Sequence, residues 1–204
     1  MTWRLSKLNV GLVLFGVGTW LGLQAHLGVG PWDVLAGGLA GELGTPFGRT
    51  AIGISVAVLV VCLCVGVRPG LGTLLNVIVI GAVVDILLAT PALDSLRHQG
   101  LIVRLLGTAG GIASVAAGSA LYLGAHLGAG PRDGLMVALA ERTGWAMGVS
   151  RALLELTVLV GGVALGGPVG PGTVAFAVGI GPAVQLAFTV LRQEPVRRVV
   201  ESPP

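Results

Sequence analysis

Displaced by 100 positions, this chain aligns with itself without a gap, and that self-similarity limits its possible folds more than any other feature. Over residues 21–40 against 121–140, 12 of 20 positions are identical, and GLQAHLGVGPWDVL falls on YLGAHLGAGPRDGL. Chance matches of Leu, Ala and Gly are expected in a chain with 35 glycines, but not the simultaneous pairing of His26 with His126 and Asp33 with Asp133. A weaker block joins Gly70, Gly72, Thr73, Ile80, Gly81 and Val84 to Gly170, Gly172, Thr173, Ile180, Gly181 and Val184. The chain therefore reads as a tandem duplication, with repeat one over 8–91 and repeat two over 105–191.

Each repeat unit is too apolar for water. Only 10% of the residues are charged, 54% are hydrophobic, and mean hydropathy is +0.94. A soluble domain or a disordered tail needs more polar surface than that. A helix needs about 20 apolar residues to cross a bilayer core, and six stretches meet or approach this: Leu8–Ala25, Thr50–Val67, Leu71–Thr90, Leu105–Ala125, Ala152–Gly166 and Gly172–Leu191. Trp32–Leu43 and Arg132–Arg142 are helical in pattern but too short to span, as re-entrant or interfacial helices are. The predicted fold class is all-α: one polytopic membrane domain over 1–204, three spans plus a short helix per repeat, and a cytoplasmic tail at 192–204. The N-terminal apolar stretch reads as an uncleaved first span.

Three spans per repeat is an odd number, so the second unit enters from the opposite face and the repeats are inverted. If the short helices cross as well, the units are parallel and the spans number eight. Basic residues permit both. With six spans and a cytoplasmic N-terminus, Arg4, Lys7, Arg68, Arg132, Arg142, Arg151, Arg192, Arg197 and Arg198 are inside, and Arg49, Arg97 and Arg104 outside. With eight spans only Arg68 and Arg132 are outside. Both satisfy the positive-inside rule; length favours six. Either way both termini are expected in the cytoplasm, and the partner is the lipid bilayer.

The repeated motif A-H-L-G-x-G-P-x-D occupies Ala25–Asp33 and Ala125–Asp133. Gly28, Gly30, Gly128 and Gly130 let the backbone leave a helix, and Pro31 and Pro131 suit the first turn of a new one. Hydrocarbon tolerates such a break only where protein or a polar cavity shelters it. The functional expectation is a shared cavity with His26, His126, Asp33 and Asp133 as solute or proton ligands; the structural one is that these are interfacial turns in which each Asp caps its helix and each His wets its ring at the headgroup level. Asp85, matched by Gln185, is a membrane-depth acid and a pathway candidate by its cost alone. Arg151 and Glu155, four apart, read as a surface pair, and Asn76 as an accompanying polar residue. G-x-x-x-G pairs such as Gly18–Gly22 and Gly107–Gly111 read as helix-packing sites.

No nucleophile elbow, zinc-protease helix or phosphate loop is present, and the histidines and acids lack metal-ligand spacing. The expectation is therefore no enzyme activity, no cofactor and no metal. Cys62 and Cys64 read as small core residues, and the basic excess gives no nucleic-acid signal. LGVGPWD (27–33) together with GVRPGLGTLLNVIVIGAVVDILL (66–88) resembles the YczE/YyaS/YitT family of bacterial multi-span membrane proteins, over about residues 8 to 190. The resemblance implies an all-helical inner-membrane protein and names no substrate. The expected function is transport of a small solute between the two repeats, with a membrane accessory protein as the alternative. Oligomeric state is left open.

Overall fold

The computed structural model describes residues 2–93 and 95–193, so the tail from 194 onward lies outside the described residues. Among them the chain forms α1 (Thr2–Ala25), α2 (Pro31–Leu43), α3 (Phe47–Cys64), α4 (Leu71–Leu88), a 3-10 turn (Leu96–His98), α5 (Leu101–Leu123), α6 (Pro131–Thr143), α7 (Met147–Ala164) and α8 (Pro171–Val190). Among the described residues six helices are long and apolar enough to cross a membrane. The other two, α2 and α6, have 13 residues each, about 20 Å at 1.5 Å per residue, well short of a bilayer core of about 30 Å. α1 starts earlier than Leu8, so Arg4 and Lys7 belong to its first turns.

Helix boundaries recur at an offset of 100 residues because their signals do. α2 and α6 both begin with an extended glycine, Gly30 and Gly130, followed by Pro31 and Pro131 at the first helical position. Both end at a left-handed glycine, Gly44 and Gly144.

The central element is the crossing of α1 with α5, the most extensive helix pair in the molecule. Gly18 lies against the Gly111 backbone and Gly11 against that of Gly118. The partner number falls by seven as the first rises by seven, so α1 and α5 run antiparallel. Each contact is also the other's counterpart at the 100-residue offset. Gly22 joins Gly18 at Gly111, as the G-x-x-x-G pattern predicts.

The same crosswise rule governs the two breaks. Gly172 donates its N–H to the Leu27 carbonyl (2.6 Å), and Gly72 to that of Leu127 (2.7 Å). The first break thus docks on the start of α8 and the second on the start of α4. Gly28 and Gly128 have φ of +97° and +118°, and a Cβ on either would strike Thr173 or Thr73. These positions require glycine on both counts. Gly30 and Gly130 need it for room alone: a Cβ would press on the Phe176 ring or on Asn76. Breaks set on partner helices in this way leave few backbone groups to lipid.

Charged side chains fix the C-terminal ends flanking the breaks. Arg104 donates from Nε to Ala25 O (2.9 Å) and from Nη2 to His26 O (2.6 Å), closing α1. Lys7 Nζ donates to Gly124 O (2.9 Å), closing α5. Cations at unpaired terminal carbonyls both hydrogen-bond and oppose the helix dipole.

Candidate functional site

Gly30 faces Phe176, five residues into α8, about 7.5 Å along its axis. The N-termini of α2 and α6 are therefore sunk between the long helices, and the side chains of their first turns meet at one cavity of about 170 Å³. All eight helices contribute to its wall, largely through equivalent positions: Thr19 and Ser119, Asp33 and Asp133, Ile80 and Ile180. Phe15, near the middle of α1, places the cavity at mid-depth.

Its polar heart comes from the two short helices. Asp33 is buried at the third position of α2, and Asp133 sits at the same place in α6, each near a positive helix end. Asp133 accepts the Tyr122 hydroxyl hydrogen at 2.6 Å. Arg132 projects into the same space, its guanidinium 4.9 Å from the centre of the Trp32 ring, a cation–π arrangement. Among the described residues the only ion pair within 4.0 Å is Arg151–Glu155 (2.8 Å). Arg132 therefore forms no ion pair within 4.0 Å with either acid, although both act on it electrostatically. The Thr19 hydroxyl, on the wall, is buried without a hydrogen-bond partner.

The structure divides the sequence candidates. Asp33, Asp133, Gly30, Pro31 and Gly130 line the cavity, Pro131 is buried beside it, and Gly28 and Gly128 form the docking contacts. His26 and His126 do not line it. Both are exposed and hold left-handed φ of 51° and 54° at the ends of α1 and α5, outside the cavity where paired histidine ligands were expected.

Asp85 is also absent from the wall. Its carboxylate accepts the N–H of Gly48 (2.6 Å) and of Arg49 (3.0 Å), capping α3, which has no side-chain cap of its own. A span's first N–H groups are orphans, and in lipid an acid one turn from the end of the neighbouring helix satisfies them. Gln185 is exposed on α8, outside the wall. Asp85→Ala is expected to cost about 1–2 kcal/mol, read as a lower melting temperature in detergent; Asp85→Asn keeps one acceptor and should lose less.

Four wall residues were read differently or passed over in the sequence. Arg132 and Arg151, counted with the cytoplasmic charges, face the cavity. Arg151 and Glu155 do pair as predicted, but on the cavity wall. Trp32 and Tyr122 carried no polar or repeat signal. The departures from identity at 32/132 and at 76/176 were the available clues: all four residues line the cavity, where unlike residues at positions 100 apart can act together.

His26 does carry a pH consequence. Partial burial, then the positive charges of Arg97, Arg104 and His98, hold its imidazole below its ordinary range. The unfolded chain takes up that proton near pH 6.5 and the fold resists it. Stability is therefore expected to fall as pH drops from about 6.5 through the lower folded value. Melting curves between pH 8 and 5 should be flatter for His26→Gln.

The family of unknown function DUF6198 matches residues 2–189. An uncharacterized protein of Haemophilus influenzae is 40% identical over 191 residues, 94% of this chain and 86% of that one. The uncharacterized membrane protein YczE of Bacillus subtilis is 33% identical over 171 residues, 82% and 77% of the two chains. YyaS of the same organism is 27% identical over 81% of this chain and 82% of its own. No solved structure matches. With nearly its whole length matched and these relatives alongside, the chain belongs to the DUF6198 family, the YczE/YyaS group of membrane proteins.

Proposed function

We propose that this protein is a small-solute transporter of the bacterial cytoplasmic membrane, built from two inverted halves with both termini in the cytoplasm. The observation that carries the reading is the cavity between the halves, where the N-termini of two interrupted helices bring Asp33, Asp133 and Arg132 together at mid-depth. Buried ionisable groups are costly in a membrane and are retained where they bind or relay charge. Discontinuous helices whose ends converge between repeats are how many secondary transporters hold a solute. The antiparallel α1–α5 crossing and the crosswise docking of the breaks support inversion.

The solute that fits is small, carries at least one charged group and has an apolar part. Carboxylates and a guanidinium offer both signs, the Thr19 hydroxyl offers a hydrogen bond, and Phe15, Trp32 and Phe176 supply apolar wall. The role is non-enzymatic and needs no cofactor. A membrane accessory protein can be packed solid and requires no charged cavity.

The test is a thermal-shift panel of small zwitterions, monovalent organic cations and carboxylates on the detergent-purified chain, each hit followed as radiolabelled uptake into proteoliposomes. The expected result is uptake of at least one class, reduced at least tenfold in Asp33→Asn. No shift and no uptake across the panel would refute the proposal.

A further inference from the structure

The two halves differ most at one seam, although α2 also packs more extensively on α7 than α6 does on α3. α3 packs along α4, whereas α7 and α8 make at most marginal contact. Correspondingly, α3 and α4 each bury 28% of their apolar stretch inside the molecule, but α7 and α8 only 11% each. The α3–α4 seam is held by three residues. Gly48 and Gly81 approach backbone to backbone, so that a Cβ on Gly81 would lie 2.6 Å from the Gly48 carbonyl oxygen. Asp85 then caps the start of α3 through Gly48 and Arg49.

At the 100-residue offset stand Gly148, Gly181 and Gln185, glycine for glycine and an amide for the acid. None has its counterpart's contact. Among the described residues a Cβ on Gly148 or Gly181 would meet nothing within 4 Å, Gln185 is exposed, and α7 begins without a side-chain cap. A glycine inside a helix costs about 1 kcal/mol relative to alanine, and nothing in this arrangement calls for it at 181. The α3–α4 geometry does call for it.

We infer that the α7–α8 seam closes on the α3–α4 pattern, with Gln185 accepting the Gly148 N–H, while α3 and α4 separate, so that the cavity opens to its two sides in alternation. The inference rests on the transport reading and supplies its moving part. Both seams flank the cavity: Ser55 and Val84 line it on one side, Glu155 and Val184 at the equivalent places on the other. Pro182 lies inside α8 beside Gly181, and a proline removes one backbone bond and permits the bend that closure requires. A neutral amide oxygen accepts less strongly than a carboxylate. This agrees with the α3–α4 seam being the closed one.

The test uses the full chain in nanodiscs, with Cys62→Ala and Cys64→Ser and paired spin labels at equivalent exposed positions, Leu156 with Val178 and Val56 with Ile78. The 156/178 pair should show two distance populations, the shorter matching the main 56/78 distance. Gly181→Leu, at a position that touches nothing, should abolish the short population while leaving the melting temperature within a few degrees. Gln185→Asp should enrich it about tenfold, the shift one charge-assisted hydrogen bond supplies. A single long 156/178 distance that neither variant moves would overturn the latch and leave the transport reading to stand on uptake. Exchange between two distances without uptake of any solute would support the latch and count against transport.

Discussion

Gly18→Leu is expected to prevent the two halves from docking. A Cβ at this position would lie 2.6 Å from the Gly111 carbonyl oxygen and 2.7 Å from the Val115 nitrogen. Both are backbone atoms of α5 and cannot rotate away, so α1 and α5 must separate along the largest helix contact in the protein. Overpacking into flexible side chains costs about 1–3 kcal/mol. Here the cost should exceed about 3 kcal/mol, a fall of roughly 6–12 °C in melting temperature for a chain of this size. Size-exclusion chromatography after heating in detergent should show early loss of the monodisperse peak. Gly111→Leu should behave alike, since its Cβ would meet Gly18 O at 2.9 Å. Gly110→Leu, one residue away and facing open space, should be neutral; equal losses at 110 and 111 would show that the close crossing does not hold the halves together.

Arg132→Leu is the second large effect, and its origin is electrostatic. The guanidinium is the positive charge that acts on both Asp33 and Asp133, and removing it leaves two carboxylates facing one small cavity. Removing one partner of a buried ionic group costs about 3–5 kcal/mol because the remaining charge is uncompensated. The low end, about 3 kcal/mol, applies here, since Arg132 lies beyond 4.0 Å of either acid. The diagnostic is rescue. Asp33→Asn with Asp133→Asn in the Arg132→Leu background should restore most of the melting temperature, because the uncompensated charges are gone. Arg132→Lys should restore less than half, as a compact ammonium does not lie across Trp32 as a planar guanidinium does. A neutral Arg132→Leu would mean that the two acids need no counter-charge.

Much of this architecture was legible in local chemistry. The breaks at 26–31 and 126–131 were readable because glycine and proline act on their own backbone, and the 13-residue helices because their caps sit in the sequence. The site was only half legible. Asp33 and Asp133 were found from their place beside a helix start, yet the same motif suggested His26 and His126. Those side chains point away because a left-handed backbone turns the chain at that residue. Asp85 looked like a pathway acid by depth alone, and its true partners, the Gly48 and Arg49 amides, are 37 and 36 residues distant.

The sequence by itself determined the solvent, the helices and their interruptions, and the two blocks that recur at 100 residues, since each follows from hydropathy, backbone stereochemistry and self-comparison. Tertiary structure alone decided that the recurring blocks dock crosswise, that Arg132 is a cavity residue and not an interface charge, and that one glycine seam is shut while its twin stands open. The physical reason is that these are relations between distant segments: identical local patterns in two halves carry no information about which partner each one meets.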